Sequence, residues 1–420
     1  MKVVCAPNPD ALAIHADLRF SLLHASNDDA HGRVGVNLPA EVRRAGLVPT
    51  PAAWDFLAIA LAAVAADHGC LRADSPDGWT RDIELHVALV EPEIWSPHAD
   101  SIGQALRFLT GDIWQLVLHS GGQPPLPRTN RVRAPLLDGD VVCLLSGGMD
   151  SLVGALDLTS QSRRPVLVSQ VAKGDAKKQR LFAQSIGGDC RHVQLSHATA
   201  VPGTAERSQR ARSIIFLAFG MLAASSLPSR AEPLKLVVPE NGFISFNVPL
   251  TPMRIGSLST RTTHPYFLHQ IQAVWDSVGF NVEINNPYQY HTKGEMLIQC
   301  KRQSALRSLL SSSTSCGRFG RFGYRHCGRC VPCMVRRAAF VKWNVSDETE
   351  YVYDNLKTES DFDDVRSLSI ACQQIRELGS ERWCGSAIRH QWVDDVSASL
   401  QLVERGMDEL RTLLITLGVL

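Results

Sequence analysis

The 420-residue sequence predicts an α/β fold: a doubly wound parallel sheet with a zinc-binding insert, an N-terminal α/β domain before it and a helical C-terminal tail. Three observations carry that expectation. Between about 139 and 300, short apolar runs alternate with amphipathic stretches, the pattern of parallel strands joined by crossover helices. The first run passes into its amphipathic stretch through Ser146-Gly147-Gly148-Met149-Asp150-Ser151. Four cysteines crowd into residues 316–333, where the alternation has ended.

In chain order, 81–91 alternates Ile83, Leu85, Val87 and Leu89, the period of a half-buried strand. Residues 51–67 and 102–118 carry helical spacing, and the Gly/Pro-rich 121–127 reads as a linker. Strands are expected at 141–145, 165–171, 191–195, 234–239 and 280–284. Helices are expected around 151–159, 176–186, 207–227 and 265–278, and another starts near 293. Residues 365–420 read as helices. The domain expectation is 1–135, 136–342 and 343–420.

Composition bounds the class. With 45% hydrophobic and 20% charged residues, the chain can bury a sizeable core. A net charge of +1 singles out neither nucleic acid nor membrane as a partner, so local charge decides. The start lacks the apolar core of a signal peptide. The longest apolar stretch, 56–66, has 11 residues, short of a bilayer span. The expectation is a soluble, cytoplasmic protein with no membrane partner. Eleven cysteines without a secretion signal argue against a disulfide framework.

The glycine turn is an anion-binding design. Glycines let the backbone take positive φ and approach a ligand. Successive N–H groups form a nest, and the following helix adds its dipole. Ser146 and Ser151 add hydroxyl donors. Asp150 suits either Mg²⁺ binding or a helix cap. No G-x-x-x-x-G-K-[ST] occurs, which disfavours P-loop phosphoryl transfer.

Cys316, Cys327, Cys330 and Cys333 supply the four thiolates of a closed tetrahedral zinc site. An Fe–S cluster uses the same ligand set. Neighbouring His326 reads as a loop side chain. Residues 301–342 hold ten Lys or Arg and no acid, while 347–364 hold eight acids against Lys357. The basic stretch points to a phosphate-bearing ligand, to RNA, or to that acidic segment.

In motif order and spacing the chain resembles the 7-cyano-7-deazaguanine synthase (QueC) family. The turn at 146–151 matches the family's PP-loop, S-G-G-x-D-S. Arg210-Ala-Arg212-Ser-Ile-Ile-Phe216-Leu is similar to its R-N-x-x-F-L. Asn286-Pro287 and Thr292-Lys293-Gly294-Glu295-Met296 match its N-P and K-x-E elements, and the four cysteines follow. The resemblance spans about 140–340. It implies a PP-loop, adenine nucleotide alpha-hydrolase type of domain that binds ATP with Mg²⁺ through Ser146, Gly147, Gly148, Met149, Asp150, Ser151 and Arg212. It implies zinc on the cysteines and catalysis by Asp150, Lys293 and Glu295. ATP would be cleaved to AMP and pyrophosphate to activate a 7-deazapurine carboxylate.

The sequence departs from the family at 171–175, 240–250 and 254–265, where acceptor contacts are expected. The enlarged architecture is similar to QueC-like proteins of antiphage operons (Qat and CBASS types), which implies partner proteins from the same operon. A housekeeping synthase of queuosine biosynthesis, a PP-loop tRNA-modifying enzyme and a non-catalytic ATP-binding module stay open as alternatives. So does a homodimer.

Overall fold

The computed structural model describes every residue except 27, 128–137, 172–173, 188–190, 255–260, 357–363, 390–392 and 394. The expected boundary at 135/136 lies outside the described residues, as do parts of 171–175, 254–265 and the acidic 347–364.

Eleven strands are described: β1 Lys2–Ala6, β2 Leu18–Leu22, β3 Gly32–Val34, β4 Asp82–Leu89, β5 Ile113–Ser120, β6 Val141–Leu144, β7 Pro165–Gln170, β8 Arg191–Leu195, β9 Thr199–Ala200, β10 Leu234–Val237 and β11 Val282–Asn285. They form two sheets, ordered β5-β4-β1-β2-β3-β9 and β11-β10-β6-β7-β8. The second sheet is parallel throughout. Along β6, Val142 and Leu144 face one buried cluster, and Val141 and Cys143 face another. Helices therefore cover both faces, which is why these strands read as continuous apolar runs.

The first sheet was only partly foreseen. The helix expected over 102–118 ends at Thr110, and β5 follows. Gly111 takes φ 76° and donates its N–H to the Arg107 carbonyl, a left-handed stop that side chains resist. Beyond it Trp114, Leu116 and Leu118 alternate at strand period, and across the helix end that spacing mimics a continuing apolar face.

The helix Pro51–Gly69 is buried continuously from Ala53 to Asp67. It packs against β2 and β4 on one side and the helix Ser213–Ser225 on the other. By length and composition it could cross a bilayer, but 83% of its apolar window is buried inside the fold. An all-round apolar helix is what such a sandwiched position requires. One hydrophobic cluster runs from Val3 and Phe20 through this helix to Val142 and Leu236. Strand β9, from beyond residue 135, pairs antiparallel with β3.

The helix expected from 207 starts at Ser213. Just before it, Arg210 and Ala211 donate their N–H groups to Asp67 Oδ2 at 2.6 and 2.8 Å. That buried carboxylate holds the segment in an irregular path. The tail forms helices Asp364–Leu378, Ser380–Ile388 and Val396–Thr416. Its Leu368, Leu402 and Leu410 pack with Phe243, Phe246 and Met334 in a second core.

Two histidines beside the second sheet set an acid limit on stability. Ser169 Oγ donates to the Leu145 carbonyl at 2.6 Å, so its contact with His192 Nε2 at 2.9 Å is one it accepts. Gln170 Nε2 lies 2.8 Å from His197 Nδ1. Burial, then the Arg180 charge for His192 and the Arg212 charge for His197, pushes both imidazoles down to about 4. Below about pH 6.5 the unfolded chain takes up these protons and the folded chain does not until about 4. Stability is therefore full above that window and falls as pH drops through it, by up to about 3 kcal/mol per histidine. Urea unfolding across the window should show the slope, and His192→Gln should remove about half of it, leaving the His197 share.

Candidate active site and metal centre

The glycine turn sits at the carboxyl end of β6, the central strand of its sheet. Gly147 takes φ 91°, the conformation that requires glycine. Gly148 is the N-cap of the helix Met149–Ser160, and no side chain caps that end. Its first N–H groups are left for a ligand. Ser146 Oγ accepts from the Gly148 N–H at 3.3 Å and lies 3.1 Å from Ser151 Oγ. A side chain at Gly148 would meet the Thr314 carbonyl at 3.3 Å. Met149 is 1% exposed and packs in the core, so only its backbone is available to a ligand.

Asp150 is buried and faces across the turn. Its Oδ1 accepts from Lys293 Nζ at 2.5 Å, and its Oδ2 accepts from the Asn241 N–H and Nδ2 at 3.2 and 2.7 Å. Burial alone would raise this carboxyl. The Lys293 ammonium, the Glu240 carboxyl and the Asn241 amide reverse that and hold it down at about 2. Glu240 moves the other way: burial and the Asp150 charge push it well above the usual carboxylate range. The site thus sets a carboxyl held low, Asp150, against one pushed high, Glu240, beside a lysine. Asn286 Nδ2 donates to the Glu240 carbonyl at 2.9 Å, so the Asn-Pro element braces the strand end that carries Glu240.

Glu295 does not join this group. It accepts from the Thr292 N–H at 2.9 Å while Thr292 Oγ1 accepts from the Glu295 N–H at 3.1 Å. That reciprocal capping box starts the helix Lys293–Gln299. The Glu295 carboxylate also pairs with Arg405 Nε at 2.6 Å. Its place is structural: it fixes the helix whose first residue is Lys293. Behind that helix, Thr292 Oγ1 donates to Glu409 of the C-terminal helix at 2.5 Å.

Two cavities share the turn as a wall. One of about 440 Å³ is lined by Leu144, Phe216, Val238 and Leu268 together with Ser146, Ser151, Arg210 and Arg212. That volume lies in the small-ligand range. The other, about 240 Å³, contains Asp150, Glu240 and Lys293 with Gly148, Thr314 and Ser315. Arg212 is exposed and lines the larger cavity just ahead of the helix Ser213–Ser225. Ser146, Ser151 and Glu240 line both spaces, so a ligand lying across the turn would reach from an apolar chamber to a charged one.

The four cysteines converge. Their sulfurs lie within 4.8 Å of one another, and all four residues are buried. Cys327 and Cys333 are 3.9 Å apart, as are Cys316 and Cys330. A tetrahedral zinc with Zn–S bonds of about 2.3 Å needs sulfurs about 3.8 Å apart. The arrangement suits one metal ion such as zinc; a multi-iron cluster would divide the sulfurs between irons and spread them further. Backbone N–H groups of Arg318 and Cys327 donate to Cys316 Sγ at 3.3 and 3.4 Å, and that of Cys330 donates to Cys327 Sγ at 3.3 Å. Such bonds stabilise thiolates. Gly328 takes φ 84°, and a Cβ there would sit 2.5 Å from the Tyr353 carbonyl.

This centre adjoins the turn. The Thr314 N–H donates to the Gly147 carbonyl at 3.0 Å, two residues before Cys316. The Ser315 N–H donates to His326 Nε2 at 3.1 Å. Arg336, fully buried, donates to Ser313 Oγ at 2.7 Å and to Thr349 Oγ1 at 2.7 Å. His326 is therefore a brace for the segment and not a fifth ligand.

Much of the basic stretch is used internally. Arg302, Arg329 and Arg337 donate to backbone carbonyls at 2.7, 3.0 and 2.9 Å. Arg307 lies over the Trp343 ring and Arg318 pairs with Asp364.

Sequence reasoning reached Glu240 and Asn241 only as part of the divergent segment 240–250, with no role for either, and did not single out Lys178. Lys178 donates to Thr314 Oγ1, and its Cδ lies 3.7 Å from where a Gly147 side chain would start. No short motif marks any of the three.

Together these features define a largely parallel α/β protein with an uncapped glycine turn, a buried Asp–Lys pair and four cysteines whose geometry suits a metal ion such as zinc. Compared with known proteins, the chain matches no family model, no curated sequence and no solved structure.

Proposed function

We propose that the chain is a PP-loop ATP pyrophosphatase of QueC-like type. It would use ATP to adenylate a 7-deazapurine carboxylate, releasing pyrophosphate, and act with partner proteins in antiphage defence. The observation that carries the reading is the contact of Asp150 with Lys293 beside an uncapped glycine turn, at the junction of two cavities. The larger cavity suits a nucleoside in size and apolar lining. The smaller one suits the phosphates and the attacking carboxylate.

In the reaction a carboxylate oxygen attacks the α-phosphorus, and the bond to the bridging α–β oxygen breaks. The pyrophosphate takes up the electron pair. Charge grows on the leaving group, and the N–H groups of the turn with Ser146 and Ser151 are placed to stabilise it. Lys293 offsets charge at the α-phosphate. Mg²⁺, when bound with ATP, neutralises phosphate oxygens; the ionised Asp150 is the group suited to hold it. Zinc, if held by Cys316, Cys327, Cys330 and Cys333, would have a structural role, keeping Thr314 and Ser315 against the turn.

The test is AMP and pyrophosphate formation by the zinc-loaded chain with ATP and Mg²⁺. One arm adds 7-carboxy-7-deazaguanine and ammonia, another adds proteins from neighbouring genes, and a third adds tRNA. AMP that requires a neighbouring protein supports the defence reading. AMP and a nitrile from the small molecule alone would mean a housekeeping synthase. Dependence on tRNA would mean an RNA-modifying enzyme. ATP binding without AMP in every arm would remove the enzyme assignment.

A further inference from the structure

We infer that the loop 317–325, held at both ends by the cysteine centre, is a binding surface for single-stranded nucleic acid. Its sequence is Gly317-Arg-Phe-Gly-Arg-Phe-Gly-Tyr-Arg325. It contains only glycine, arginine and aromatic residues, with no acid and no aliphatic side chain. Cys316 and Cys327 fix its ends at the metal centre.

The loop presents its charge outward. Arg321 and Arg325 are exposed, and among the described residues neither forms an ion pair. This sets them apart from Arg318, Arg329, Arg336 and Arg337, whose guanidinium groups bond within the fold. Between the two arginines Tyr324 is 42% exposed. It takes φ 64°, a conformation that a bulky residue adopts only when its surroundings hold it there. Its N–H donates to the Phe319 carbonyl at 2.9 Å, and its ring lies against Gly174, where a Cβ would be 2.8 Å away. Phe319 backs it edge-on at 6.0 Å. An aromatic ring is thus fixed in the open between two unneutralised cations.

That combination selects the ligand. Unpaired bases stack on exposed aromatic rings without regard to sequence, while arginines take the phosphates. A duplex hides its base faces, and the loop's single 3₁₀ turn, Phe319–Phe322, is too short to enter a groove. Tyr and Arg also anchor protein interfaces, so an acidic protein partner is the competing occupant, and displacement by polyglutamate tests it. The surface also borders the glycine turn: the Lys178 ammonium lies 4.9 Å over the Phe319 ring, and Lys178 packs beside Gly147. A bound strand would run along the rim of the smaller cavity.

The test is fluorescence anisotropy with labelled oligouridylate and oligothymidylate of roughly 16 nucleotides, using the zinc-loaded full chain without ATP. Both single strands should bind, and the matching duplex should bind at least tenfold more weakly. Two phosphate contacts predict a slope of log K against log salt of about −1.4 between roughly 50 and 200 mM. Arg321→Ala with Arg325→Ala should abolish that slope, and Tyr324→Ser should weaken binding about tenfold. Zinc content and circular dichroism should not change. Arg163→Ala with Arg164→Ala, far along the chain, should bind like the parent. Equal binding of duplex, no effect of the loop variants, or equal displacement by polyglutamate at matched charge would each overturn the inference. Because no ATP is present, failure here leaves the proposed ATP chemistry untouched.

Discussion

Asp150→Asn is expected to lower AMP formation by about 10²–10³-fold, the loss that follows removal of one preorganised electrostatic contact. The substitution keeps the shape of the side chain and removes its charge. Lys293, 8% exposed, then loses the carboxylate that Asp150 Oδ1 supplies at 2.5 Å. Breaking a buried pair from one side costs about 3–5 kcal/mol, but here Glu240 modifies the outcome. Burial and then the Asp150 charge push its carboxyl up. Removing that charge leaves burial, the larger cause, in place, so the carboxyl stays raised in the folded variant. Stability of the variant should therefore fall as pH rises through the Glu240 titration, and Asp150→Asn with Glu240→Gln should lose that pH dependence. Lys293→Met combined with Asp150→Asn should restore stability by removing both charges, while activity stays lost. Chemical denaturation and AMP formation on the same four proteins separate the two roles. Activity within tenfold of the parent in Asp150→Asn would make the pair structural and end its assignment to catalysis.

The parts of this site that could be read in advance are those encoded over short spans. The turn at 146–151 and the cysteines at 316–333 are local patterns whose spacing reflects their geometry directly. The strands of the second sheet were legible because parallel strands buried on both faces appear as unbroken apolar runs. Glu240 and Asn241 meet Asp150 from about ninety residues away, through the packing of β10 against β6, and nothing in the local sequence records that. Glu295 is a different case. Thr292-x-x-Glu295 is a capping-box pattern as well as part of a motif, and the local rule is the one the fold obeys. The helix extended over 102–118 failed for a related reason: Gly111 was the stop signal, but the apolar spacing continued past it into β5.

Removing the metal is expected to dissolve the segment around the cysteines and, with it, one wall of the glycine turn. Binding of structural zinc is worth about 10–16 kcal/mol in small zinc modules, comparable with the whole stability of a domain. Around this centre few apolar contacts could replace it: the cysteine cluster is accompanied only by half-buried Phe319, Phe322 and Tyr351 among the described residues. Without metal, four buried cysteines within 4.8 Å of one another must stay protonated or repel. The contacts nearest the turn are the Thr314 N–H to the Gly147 carbonyl and the Ser315 N–H to His326. Both depend on the path of the chain into Cys316. Hydrogen exchange after chelation, or in Cys333→Ser, should rise across 313–330 and 346–355 while β6, β7 and the helix Val331–Trp343 stay protected, since those elements pack in cores that do not include the four clustered cysteines. Nucleotide affinity should fall in the same samples, because Thr314 and Ser315 line the smaller cavity. Linkage then requires the reverse effect: saturating nucleotide should tighten metal binding, measured at equilibrium against a chelator, by the same free energy. Full protection of 313–330 and 346–355 in metal-free protein would show that the cysteines pack as ordinary core residues and would remove the metal from the account of this site.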